Sequence, residues 1–142
     1  MRDLLDVNVW IALSIPDHAH YRRAQEYWSE ESAEEVAFCR LTVLGFLRLM
    51  TQLPVTDGRS VSVAQAWEAY RTYENFPEVQ FLQEPMGCVA QMEAWARSPG
   101  YGRRLWTDAY LAAFAKAGGL RFVTFDRDFL RFPGLDLLLL SG

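Results

Sequence analysis

The sequence predicts an α/β fold in three layers, with a mainly parallel central sheet between two layers of helices. Three observations predict it. Short apolar runs of strand length alternate with longer segments whose apolar residues recur every three or four positions. Clusters of Pro, Gly and Asp separate them. Two of the apolar runs end on an aspartate, at Asp6 and at Asp126. That pattern fits strands buried on both faces, with their carboxyl ends at the edge of the sheet.

The elements follow in order. Leu4-Leu5 leads to Asp6, and an apolar run resumes after Asn8. This reads as a buried strand ending near Asp6, a tight turn at Val7-Asn8 and a helix from Val9. A carboxylate there serves either a ligand or the cap of the helix that follows. Pro16 and Asp17 break the chain, with His18 and His20 at the entrance to a second helix over 19–31, in which Tyr21, Ala24, Tyr27 and Trp28 share one face. The run 34–39 is a second strand. Thr42 is placed as the N-cap of a third helix through Leu44, Leu47 and Met50, which Pro54 ends before a loop over 56–60. Residues 62–76 form a fourth helix with Val63, Ala66, Trp67, Tyr70 and Tyr73 on one face, a core or self-association surface. A strand over 79–82, a helix starting at Pro85 and a loop over 98–102 come next. A helix opened by Thr107 or Asp108 ends at Gly118-Gly119. The strand 120–125 stops at Asp126, residues 127–130 make a helical turn, and 135–140 give a last strand. There is no internal repeat, and residues 1–142 read as a single domain.

Composition narrows the function. A net charge of −4 argues against coating nucleic acid by bulk electrostatics, though not against an enzyme that acts on it. Of fourteen basic residues only Lys116 is Lys, and Arg suits phosphate contacts. Cys39 and Cys88 have no metal-ligand spacing and read as reduced core thiols of a cytoplasmic protein. No apolar run is long enough to span a membrane, so no membrane partner is expected. A Walker loop and a GxGxxG motif are both absent.

The chemistry-bearing pattern is acidic. In a parallel sheet, strand carboxyl ends and helix amino ends share one edge, so Asp6, Asp126 and the helix-opening Asp108 can meet in one crevice. Gathered carboxylates raise each other's pKa unless a cation joins them. A set of oxygen donors without His or Cys favours a hard ion, Mg²⁺ or Mn²⁺, and such an ion supports phosphodiester hydrolysis. Taken singly, each aspartate reads equally well as a cap or turn residue.

Four blocks then resemble a known family: Leu4-Leu5-Asp6-Val7-Asn8-Val9; Cys39-Arg40-Leu41-Thr42-Val43-Leu44-Gly45-Phe46-Leu47-Arg48-Leu49; Thr107-Asp108-Ala109-Tyr110-Leu111-Ala112-Ala113; and Val123-Thr124-Phe125-Asp126-Arg127. In this order they are similar to PIN-domain proteins, and above all to the VapC-type ribonuclease toxins of bacterial toxin–antitoxin pairs. The resemblance implies a PIN-like fold and a Mg²⁺- or Mn²⁺-dependent endoribonuclease acting on RNA. It also implies a homodimer and a cognate antitoxin that holds the enzyme inactive. Asp6, Asp108 and Asp126 match three of the family's acidic positions and are the expected metal-binding and catalytic residues. Asn8, Thr42, Thr107 and Thr124 are expected to hydrogen-bond around them. Asp128 is a substitute carboxylate, and Arg103 and Arg104 are expected to receive RNA phosphate. The departure is Val43, where relatives carry Glu or Gln. It supports an alternative: a catalytically weak or inactive PIN-like module acting through antitoxin or RNA binding.

Overall fold

The computed structural model describes residues 1–53, 60–103 and 105–141. The predicted loop over 56–60 falls mostly outside these residues, as do Pro54 and Arg104. Among these residues, five strands form one sheet, β1 (Arg2–Leu5), β2 (Glu35–Phe38), β3 (Val79–Phe81), β4 (Arg121–Thr124) and β5 (Leu137–Leu139), in the spatial order β3-β2-β1-β4-β5. Every pairing among them is parallel. Leu4 pairs with Ala37 on one side and Phe122 on the other, which fixes the register of the central three strands.

Among the described residues, six α-helices cover the two faces: α1 (Val7–Ser14), α2 (Tyr21–Glu26), α3 (Arg40–Thr51), α4 (Val63–Glu74), α5 (Cys88–Ala96) and α6 (Trp106–Ala117). Strand side chains alternate between the faces, and the core splits accordingly. Leu5, Val36, Phe38 and Val123 pack with Val9 and Trp10 of α1, Val43, Phe46 and Met50 of α3, and Ala66 and Tyr70 of α4. Leu4, Ala37 and Phe122 pack with Cys88 and Trp95 of α5 and with Leu111, Ala112 and Phe114 of α6. The three-layer α/β/α architecture expected from the sequence is therefore the one observed.

Local details differ from the expectation at several helix starts. No turn separates β1 from α1; Asp6 is the N-cap, its Oδ1 accepting from the Val7 N–H at 2.8 Å, and the helix begins at Val7. The cap of α3 is Cys39, not Thr42. Thr42 is the third helical residue, and its hydroxyl accepts from the Cys39 N–H at 2.9 Å in a capping box. Helix α5 starts at Cys88 rather than Pro85. The second helix runs on from α2 as a π-helical turn over Tyr27–Glu31. Helix α6 ends as predicted: Gly119 takes φ +66°, a left-handed conformation that a glycine adopts without penalty. Both cysteines are buried and unpaired. Among the described residues no helix is long and apolar enough to cross a membrane.

Candidate active site at the carboxyl edge of the sheet

The strand order places a topological switch between β1 and β4. Chain connections run outward from β1 through β2 to β3, then resume on the other side of β1 with β4. A crevice opens at the carboxyl ends of the strands where the order reverses. Asp6 follows β1, and Asp126 lies just beyond the end of β4. Helix α6 carries Asp108 as its third residue, so the carboxylate sits in the first turn, where the helix dipole favours negative charge.

A cleft of about 280 Å³ opens there between α3 and α6. Asp6, Val7, Thr107, Asp108 and Leu111 line one part of it, and Leu41, Leu44, Gly45 and Arg48 of α3 line the rest. Gly45 permits the close approach of α3 to α1. A Cβ at this position would lie 2.7 Å from Val7 Cγ2.

Thr124 organises the floor. Its buried hydroxyl donates to Asp6 Oδ2 at 2.7 Å and accepts from Asn8 Nδ2 at 3.2 Å and from the Asp126 N–H at 3.0 Å. One donor and two lone pairs exhaust what a hydroxyl offers. Asn8 Oδ1 accepts from the Phe125 N–H at 3.4 Å, tying the start of α1 to the end of β4. Asp126 Oδ1 accepts from the Asp128 N–H at 2.8 Å and caps the 3-10 turn over Arg127–Arg131.

The electrostatics are unbalanced. Burial pushes the Asp6 carboxyl up to about 6, against the opposing hydrogen bonds from Thr124 and Val7, and repulsion from Asp108 and Asp126 adds to the rise. Burial also raises Asp108, helped by Asp126 and Asp128. Among the described residues, no ion pair involves Asp6, Asp108 or Asp126.

The structure thus brings Asp6, Asp108 and Thr107 into one cleft; Thr124, Asn8 and Asp126 are not among its lining residues but join Asp6 through the Thr124 hydroxyl. It does not do the same for the other predicted residues. Thr42 spends its hydroxyl on the Cys39 backbone and does not line the cleft. Asp128 is exposed beyond Asp126, 3.7 Å from Arg131. Arg103 is exposed and lines a neighbouring pocket, while Arg104 lies outside the described residues. Val43 is fully buried in the core, because the sheet-facing stripe of α3 is 43, 46 and 50, whereas 41, 44, 45 and 48 face the cleft. Helix α3 has no acidic residue at all. Arg48 was missed by the sequence reading, although its spacing from Leu41 and Leu44 follows helical periodicity.

The donor chemistry admits a hard divalent ion. Asp6 and Asp108 offer carboxylate oxygens without His or Cys, and Mg²⁺ is commonly held by one or two carboxylates with water completing its octahedron. Among the described residues, no three His, Cys, Asp or Glu side chains lie close enough to form a closed metal cage.

Fold and cleft together define a parallel α/β/α domain with an acidic crevice at its switch point. The chain belongs to the PIN-domain family, whose model matches residues 4–135, and within it to the VapC-type ribonucleases. It is 35% identical to Ribonuclease VapC41 of Mycobacterium tuberculosis, over 97% of this chain and 98% of that protein. The fold is shared with a VapBC2 complex from Rickettsia felis bound to a promoter DNA fragment, at a TM-score of 0.69, 14% identity and coverage of 99% and 100%. It is also shared with Mycobacterium tuberculosis VapC20, a Sarcin-Ricin loop cleaving toxin, at a TM-score of 0.69, 17% identity and coverage of 94% and 97%.

Proposed function

We propose that this chain is a Mg²⁺- or Mn²⁺-dependent endoribonuclease, the toxin of a toxin–antitoxin pair. One observation carries the reading: Asp6 and Asp108 line the same cleft at the switch point, and no ion pair among the described residues neutralises them. Asp6 and Asp108 would hold the ion, with Asp126 at the flank. A divalent ion held there would supply the Lewis acidity that favours ionisation of a water and offsets charge on the phosphate.

The chain's own residues do the rest. Thr124 fixes the Asp6 carboxylate by holding Oδ2, and the Val7 N–H holds Oδ1. Asn8 and the Asp126 N–H lock the Thr124 hydroxyl so that its proton points at Asp6. Arg48, on the opposite wall, receives an RNA phosphate. Thr107 lines the cleft beside Asp108 and is assigned to hydrogen-bond the substrate. Arg103 is exposed at the neighbouring rim and extends the phosphate track.

The partners follow from the same reading: an RNA substrate, a protein antitoxin like that of the VapBC complexes, and a second copy of the chain. Residues 1–142 act as one cytoplasmic domain. Val63 and Trp67 of α4 are exposed and supply an apolar surface for assembly.

The test is cleavage of tRNA and rRNA by purified protein with Mg²⁺ or Mn²⁺. Wild type cuts and Asp6→Asn does not. Identical RNA profiles from the two proteins sink the enzyme reading. A second reading rests on α3, which contributes no carboxylate to the cleft. In it the domain binds antitoxin or RNA without cutting. Calorimetric titration with Mn²⁺ separates the two, since the binding module takes up no metal.

A further inference from the structure

The first turn of α6 is a ridge with a cavity on either side. Thr107, Asp108 and Leu111 face the acidic cleft. Trp106 and Ala109 face a second pocket of about 230 Å³, completed by Met92, Ala96, Tyr101 and Arg103 among others. Trp106 is the first residue of the helix, two positions before Asp108, and is 64% exposed. Its indole lines the pocket with most of its surface in solvent, so an aromatic face is available there to an incoming planar group. The Tyr101 hydroxyl belongs to the same pocket, and it is buried with no hydrogen-bond partner among the described residues.

We infer that this pocket takes one unstacked nucleobase of the RNA strand whose phosphate lies in the cleft, with Trp106 as the stacking platform. The inference rests on the ribonuclease reading of the cleft. Three observations select a base as the occupant. The pocket and the cleft are separated by a single helical turn, so one strand can occupy both. The pocket is smaller than the roughly 300–1,000 Å³ used by drug-sized ligands, which suits a single planar group. Its lining combines an aromatic face, a buried hydroxyl and the Arg103 cation, the set that stacks a base, hydrogen-bonds its edge and holds its phosphate. A base can enter only when it is out of a duplex stack. Trp106 is therefore a specificity-determining residue.

The experiment uses the full-length chain and two labelled ribo-oligonucleotides of equal length, one complete and one with abasic units. Binding is read by fluorescence anisotropy on an Asp6→Asn background, so that bound RNA stays intact. Trp106→Ala is expected to weaken binding of the complete RNA by about 5- to 100-fold and to leave the abasic RNA unchanged. Trp106→Phe keeps most of the preference. Trp106→Leu retains apolar bulk without a π-face and loses it, which separates stacking from packing. In cleavage with Asp6 restored, Trp106→Ala raises KM more than it lowers kcat and broadens the set of cut positions. The inference fails if Trp106→Ala and Trp106→Leu bind both RNAs as the parent does, including the case in which the pocket serves a protein side chain. Base-dependent binding without any cleavage keeps the pocket and rejects the nuclease. Cleavage with an unchanged profile in Trp106→Ala keeps the nuclease and rejects the pocket.

Discussion

Asp3 and Asp6 stand three positions apart at opposite ends of the same strand, and their surroundings differ in every respect that matters to a carboxylate. Asp3 is 0% exposed and has four donors. Arg121 reaches it through Nε at 2.8 Å and Nη2 at 2.9 Å, the Tyr27 hydroxyl at 2.5 Å and the Ala33 N–H at 3.0 Å. Arg121 Nη2 also donates to the Glu31 carbonyl at 2.8 Å, and the tyrosine phenol is held well above its ordinary range. Asp6 has two neutral donors, two carboxylate neighbours and no ion pair among the described residues. Burial of an acid therefore does not mark a functional site. What distinguishes the carboxyl edge is burial without compensation, which a protein tolerates where a ligand completes the balance.

The largest expected effect comes from breaking the compensated end. Asp3→Asn removes the negative charge and one of the two acceptor oxygens shared by Arg121 and Tyr27, leaves the Arg121 charge uncompensated, and should cost about 3–5 kcal/mol in chemical denaturation. Replacing both partners, Asp3→Leu with Arg121→Met, should recover much of that loss, because no charge is then left unpaired. A double variant as unstable as the single one would show that the pair itself, rather than the orphaned charge, sets the energy.

Asp6→Asn should act in the opposite direction on stability. Its pKa rises on folding from the ordinary 3.8 to about 6, so the folded state binds the proton more tightly. Stability is then highest below the unfolded pKa and falls as pH rises from about 4 to about 6. At neutral pH the ionised side chain costs about 3 kcal/mol at most. An asparagine keeps the acceptor for the Val7 N–H and removes that cost, which exceeds the roughly 1 kcal/mol of the Thr124 hydrogen bond lost where Oδ2 becomes an NH2. The variant should melt higher than wild type at pH 7 and equally at pH 4, while its RNA cleavage disappears. A lower melting temperature at pH 7 would mean that Asp6 is a structural cap and nothing more.

How much of this contrast was legible beforehand follows from where the partners lie. The alternation of apolar runs gave the layers, and the aspartates closing two of them pointed at the switch point. Asp3 carried no local signal, since its donors come from 24, 30 and 118 residues away. Thr42 looked like an N-cap because threonine favours that position, yet the helix begins two residues earlier behind a cysteine. Helical spacing left open which face of α3 meets the sheet; the fold buries 43, 46 and 50 and turns 41, 44, 45 and 48 to the cleft, so Arg48 enters the site and Val43 leaves it. Hydrogen bonds of the Thr124 hydroxyl span 116 to 118 residues, and only the fold could assemble them.

Mn²⁺ should sharpen the comparison by supplying the missing cation at one end only. An ion held at 100 times its dissociation constant stabilises the folded state by about 2.7 kcal/mol. Thermal melts of wild type should rise with Mn²⁺ and those of Asp6→Asn should not. Variants at Asp3 should keep the full metal response from their lower baseline, because the amino end of β1 offers the ion nothing. Loss of the response in those variants would couple the two ends and undo the separation.

Arg48→Ala is the smallest and most specific of these changes. The side chain is exposed in the cleft wall and takes part in no ion pair among the described residues, so its removal should alter stability by no more than about 0.5 kcal/mol. It also stands on the wall facing two carboxylates, and losing that charge leaves the crevice more acidic toward an incoming phosphate. The expected result is a KM several-fold higher, with the metal response of the melting temperature retained. Arg48→Lys should restore less than the full charge effect, since a guanidinium grips phosphate through two parallel donors and an ammonium does not. Equal KM values for wild type and Arg48→Ala would place the RNA elsewhere along the edge and leave Arg103 as the cation to test next.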